Sequence, residues 1–141
     1  MSMKKILVTI SLLCIAMYSN AQSGSWKIRM NNKSLLATSH EDEKVNTKKI
    51  ISSEWKKSGN LEIIFKEAEP NTWRRWFLFF DAEDNELLSK DSTTNAKISL
   101  SALRKLFIGK KEIRIYTVIS PLDPNIAIRI RRVHLCTLKL P

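Results

Sequence analysis

Residues 73–80, read Trp-Arg-Arg-Trp-Phe-Leu-Phe-Phe, hold five of the chain's nine Trp and Phe residues in eight positions. The run is too short for a membrane span, which takes about 20 apolar residues, and too bulky for a solvated loop. Side chains of a strand alternate between faces, so Phe77 and Phe79 fall on one face and Trp76, Leu78 and Phe80 on the other. Both faces then need cover, which predicts an interior strand. Arg74 and Arg75 lie between Trp73 and Trp76. Such a pattern suits a platform for sugars or bases; we read it instead as the strand's entry into the core, with arginine stems lying across indoles.

The chain opens with Lys4 and Lys5, an uncharged apolar run over 6–18, and then Ser19-Asn20-Ala21, small at the two positions a signal peptidase inspects. Residues 1–21 therefore read as a cleaved secretory signal peptide, leaving 22–141 as a single domain. Cys14 follows Leu13, where a lipoprotein signal carries a small residue. The Asn-Ala-Gln ending resembles bacterial export signals, which implies a Gram-negative periplasm or the exterior. No transmembrane segment is expected after cleavage, and no nucleic-acid partner in that compartment. Signal removal leaves Cys136 alone, so packing and not a disulfide must hold the domain. The three glycines, Gly24, Gly59 and Gly109, are too scattered for a phosphate-cradling loop.

Charge is unevenly spread. Residues 22–91 hold 12 basic and 12 acidic side chains, whereas 92–141 hold 10 basic ones against Glu112 and Asp123, so the whole excess of +8 lies in the last 50 residues. A field segregated in this way steers anions to one side of a protein.

Local patterns place most elements. Trp26, Ile28 and Met30 alternate with Lys27 and Arg29, and Asn31-Asn32 turns the chain into a second strand through Leu35 and Leu36. A polar loop covers 40–44, and 45–51 is a third extended piece. After a turn over 56–60, Leu61, Ile63 and Phe65 alternate with Glu62 and Lys66, and Pro70 ends that strand. The acidic turn over 81–86 spaces Asp81, Glu83 and Asn85 as in a calcium loop, but Glu86 and Ser92 stand where glycine and a bidentate carboxylate belong. From Ser99, a helix cap, Leu100, Leu103, Leu106 and Phe107 recur at helical spacing, with Gly109 just beyond.

The last hairpin suggests a site. Ile113, Ile115, Thr117 and Ile119 alternate with Arg114, Tyr116 and Val118, and Ile126, Ile128 and Ile130 alternate with Ala127, Arg129 and Arg131. With all isoleucines inward, Ile119 pairs with Ile126 and Ile115 with Ile130, since a slip of one residue turns them outward. The other face then sets Arg114 opposite Arg131 and Tyr116 opposite Arg129. Like charges so placed cost on the order of 0.2–1 kcal/mol, which an anion would relieve. Arg114, Tyr116, Arg129 and Arg131 are thus the candidate ligand-binding residues, with Lys110, Lys111 and Arg132 nearby, suited to forked hydrogen bonds with carboxylate, sulfate or phosphate. The bland alternative is a solvated wall of long side chains.

His134 and Cys136 are two apart, so on one strand they share a face, which admits a small periplasmic transition-metal-binding protein as the rival reading. Two ligands do not make a site, and a buried Cys136 beside a hydrogen-bonded His134 is the simpler expectation. Neither histidine sits in a recognised nucleophile motif. The expectation is an all-β protein, a β-sandwich of about seven or eight strands, immunoglobulin-like in general shape, with one short connecting helix. It would act without catalysis or cofactor, as an exported or envelope-associated module offering its basic C-terminal hairpin to an acidic glycan, a lipid phosphate or an acidic protein.

Overall fold

The computed structural model describes residues 24–68, 73–91, 95–123, 125 and 130–141. The expected signal peptide, Pro70, Arg129 and the strip containing Ile126 and Ile128 lie outside them. The described elements run β1 (Ser25–Met30), β2 (Lys33–Thr38), β3 (Thr47–Lys49), α1 (Ser52–Trp55), β4 (Asn60–Lys66), β5 (Arg74–Phe80), β6 (Glu86–Asp91), β7 (Asn95–Ser99), α2 (Leu100–Leu106), β8 (Glu112–Ser120) and β9 (Val133–Lys139). They form a four-stranded sheet, β2-β1-β4-β7, and a five-stranded sheet, β3-β9-β8-β5-β6. All neighbours are antiparallel except β3 and β9.

The protein is therefore all-β with two sheets, as expected, though nine strands are described where seven or eight were anticipated. Trp26, Ile28, Ile63 and Phe65 from one sheet join Phe77, Phe79, Ile115 and Leu138 from the other in a single core. Burying each such side chain stabilises the fold by about 1.5–3 kcal/mol. Asn31 and Asn32 both take positive φ, 50° and 68°, in the turn joining β1 to β2, a conformation Asn tolerates and most residues resist.

The aromatic run becomes β5, between β8 and β6. Phe77 and Phe79 point into the core at 1% and 0% exposure, while Trp76, Leu78 and Phe80 stay half-buried on the outer face. Guanidinium groups supply cover there: Arg74 lies 4.9 Å from the Trp76 ring and Arg132 4.7 Å from the Phe80 ring. Arg75 points inward, 3.7 Å from the Phe65 ring, paired with Glu67 at 2.6 Å. An arginine thus lies across an indole at Trp76, as expected, whereas Arg75 lies across the phenyl ring of Phe65 and not an indole. The helix signature also holds, for Ser99 Oγ accepts from the Ala102 N–H at 3.1 Å and Gly109 adopts φ of 73°.

The expected C-terminal register is not the one observed. β8 pairs with β9, placing Ile115 opposite Cys136, Arg114 opposite Thr137 and Tyr116 opposite His134. Ile130, expected inside, is 57% exposed. Parity alone does not distinguish two apolar strips, and the later one brings Leu135, Cys136 and Leu138 to complete burial. Lengthening the connection costs little, because closure entropy grows slowly with loop length. The register shifts between Ile115 and Tyr116, with Leu135 as the extra residue. This bulge turns His134 and Cys136 to opposite faces, against the expectation that they share one.

A candidate anion cleft on the five-stranded sheet

The bulge sets the outer face of β8 and β9. Glu112, Arg114 and Tyr116 alternate outward on β8, and opposite them stand Lys139, Thr137 and His134. The segment before β3 is pinned along β9: the Thr137 N–H donates to the Asn46 carbonyl at 2.9 Å and the His134 N–H to Glu41 Oε1 at 3.1 Å. Asp42 organises the turn by accepting from the N–H groups of Lys44 and Val45. Between this segment and the sheet lies a cleft of about 250 Å³, lined by Glu43, Lys44, Thr47, Glu112, Arg114, Tyr116, Thr137 and Lys139.

Glu112 is the electrostatic centre of the cleft. Its two oxygens accept separately, one from Arg114 Nε at 2.8 Å and one from Lys139 Nζ at 2.9 Å. Burial disfavours its charge, but those two hydrogen bonds prevail and hold the carboxyl below its usual range. The same bond to Glu112 pushes the Arg114 pKa up against the effect of burial. Lys44 and Glu43 have no ion-pair partner among the described residues. The cleft thus carries Lys44, Arg114 and Lys139 against Glu43 and a Glu112 already shared by two cations.

Tyr116 forms the floor, 6% exposed and edge-on to the rings of Phe80 at 5.4 Å and His134 at 5.5 Å. His134 is 2% exposed; its Nε2 meets Thr137 Oγ1 at 2.7 Å, and its Nδ1 has no hydrogen-bond partner among the described residues. Burial lowers its pKa, while Glu43 and Glu41 pull the other way.

Of the four residues singled out in the sequence, Arg114 and Tyr116 line this cleft together. Arg131 is held away by Glu41, and Arg129 lies outside the described residues. The neighbouring Arg132 pairs with Asp84 at 2.7 Å and covers the Tyr116 ring at 4.3 Å, while Lys110 pairs with Asp81 at 2.9 Å. Sequence pattern gave no sign of Lys44, Thr47, Thr137 and Lys139, because each joins the site only through the β3–β9 and β8–β9 registers.

No protein-family model, curated protein or solved structure matches this chain. The chemistry of the cleft is therefore the ground for a functional reading. Cys136 points into the core, and burial pushes its thiol up to about 12, so it holds its proton at neutral pH. Among the described residues no group of three His, Cys, Asp or Glu side chains is placed to hold a metal ion. In the acidic turn, the Asp81 carboxylate is engaged by the N–H groups of Glu83 and Asn85, by Asn85 Nδ2 and by Lys110 Nζ. That turn is held by its own donors.

Proposed function

We propose that this protein is a non-catalytic, exported binding module that takes an anionic group of its ligand, a carboxylate, sulfate or phosphate, into the cleft at Arg114. One observation carries the reading: Lys44, Arg114 and Lys139 converge on a cleft where the buried Glu112 neutralises part of their charge and Lys44 has no carboxylate partner among the described residues. Arg114 is pre-oriented by Glu112, which cuts the ordering cost of binding. The anionic partner anticipated from the sequence is retained, whereas its place moves from a hairpin face to a cleft. Non-catalytic action fits the burial of His134 and Cys136, the groups best suited to acid–base and nucleophilic chemistry. The two-sheet, sandwich-like build supports an immunoglobulin-like general shape as part of the same reading.

The test is calorimetry with glucuronate, sulfate and inorganic phosphate, on the wild type and on Arg114→Gln, Lys44→Gln and the distant Lys105→Gln. At least one anion should bind the wild type and Lys105→Gln alike, with affinity lost about tenfold or more in the two cleft variants, as expected for one charge-assisted hydrogen bond. Binding unaffected by the cleft variants, or none of the three anions binding, overturns the reading.

A further inference from the structure

Ion pairing redistributes the basic charge that the sequence places near the C-terminus. Arg114, Arg131, Arg132, Lys110 and Lys139 of the C-terminal half all meet carboxylates. On the outer face of the four-stranded sheet, Lys27, Arg29, Lys66 and Lys97 meet none among the described residues. Their positions follow from the register. Arg29, Glu62 and Lys97 form one row across β1, β4 and β7; Lys27 stands in the next row beside Ile64; Lys66 stands in the row after, opposite Ser25. The three lysines are exposed, and the Arg29 guanidinium reaches the Asn32 carbonyl at 3.2 Å. Among the described residues Glu62 is the one carboxylate on this face, which leaves these five side chains a net charge of +3.

We infer that this face docks on an anionic lipid surface. Strands sit about 4.8 Å apart and same-face residues about 6.7 Å apart along a strand, so the four cations spread over two dimensions across three strands. A headgroup layer offers anions over a plane, whereas a linear polyanion offers them along a line. Ile64 stands in the middle of the array, half-buried, beside Lys27. Each Lys or Arg near such a surface adds attraction that salt screens. The inference is independent of the cleft, which lies on the opposite sheet.

Co-sedimentation with vesicles tests it, using phosphatidylcholine alone and with about 30% phosphatidylglycerol, at low and at high salt. The wild type should sediment with the anionic vesicles only, and high salt should release it. The double variant Lys27→Glu/Lys97→Glu should lose binding about tenfold or more, while Lys56→Glu/Lys105→Glu, with the same change in net charge elsewhere, should lose far less. Matching thermal melts for both variants separate docking from folding. Equal losses in the two variants, absence of vesicle binding, or binding to soluble polyuronate in preference to vesicles each overturn the inference. Arg114→Gln should sediment as the wild type does, so failure here and failure of the cleft are read separately.

Discussion

The indole N–H of Trp26 donates to the main-chain carbonyl of Leu135 at 2.9 Å, a buried hydrogen bond from the first strand of one sheet to the last strand of the other. Leu135 is the extra residue of the β9 bulge, and a bulged residue leaves the ladder locally unpaired. Trp26 supplies the missing partner and stacks on Phe65 with centroids 6.0 Å apart. The bulge that turns His134 to the outer face beside Tyr116 and Cys136 to the core is thereby tied to the opposite sheet. Trp26→Phe keeps most of the apolar bulk but orphans a buried carbonyl, at a cost of about 1–3 kcal/mol in urea unfolding. A variant as stable as the wild type would show that the carbonyl finds another donor.

Arg75 is a charge inside the core, its side chain 8% exposed against 25% for Glu67. Its Nη1 donates to Thr117 Oγ1 at 2.8 Å. Removing one partner leaves the other charge buried, so Glu67→Gln is expected to cost about 3 kcal/mol, the low end for a buried pair because Glu67 is partly wet. Replacing both, as Arg75→Leu with Glu67→Leu, should cost less than Glu67→Gln alone, since neither charge then needs solvation. Strictly additive losses in denaturant unfolding would show that the two side chains act separately.

Gly59 takes φ of 129°, and a Cβ there would come within 1.6 Å of Asn31 Oδ1. That oxygen accepts from the Asn60 N–H at 3.0 Å, tying the first hairpin turn to the start of β4. Gly59→Ala therefore combines an unfavourable backbone with the loss of this bond, and should destabilise by about 2 kcal/mol or more. If Asn31→Ala, which makes room, restores most of the loss in the double variant, the clash is the main cause. If it restores none, backbone strain is.

What the sequence disclosed was local. The Asn31-Asn32 turn, the alternation of Leu61, Ile63 and Phe65, the two faces of residues 76–80 and the Ser99 cap all depend on neighbours within a few residues. The cleft depends on pairings between distant segments. Glu41 meets Arg131 across 90 positions, and Asp84 meets Arg132 across 48. Counting charges along the chain missed these neutralisations, so Arg131 and Arg132 looked available, while Lys27, Arg29 and Lys66 on β1 and β4, in the half that sums to zero, meet no carboxylate among the described residues. A single bulge residue, Leu135, then reversed the parity argument for His134 and Cys136. The strand β7 was passed over because five residues with only Ala96 and Ile98 facing inward leave a weak alternation.

Acid should unfold this protein in two steps of sensitivity, and the sign follows from the directions of three pKa shifts. His134 is lowered by burial, so neutral His134 favours the fold above its unfolded value of about 6.5, and stability falls as pH drops below that. Asp81 is held well below the carboxylate range, chiefly by the hydrogen bond from Lys110 and then by the Asn85 N–H, and Glu112 is lowered as well. Carboxyls lowered in the fold stabilise it above their unfolded values near 4 and lose that contribution as pH falls further. Urea midpoints measured from pH 8 to 3 should therefore decline gently from about pH 6.5 and steeply below about pH 4.5. His134→Gln, able to keep a bond to Thr137, should remove the gentle decline and leave the steep one. Asp81→Asn should lower the midpoint at pH 7 yet flatten the steep limb, because Asn has no proton to take up. Parallel curves for Asp81→Asn and the wild type between pH 5 and 3 would mean that other carboxylates govern acid unfolding.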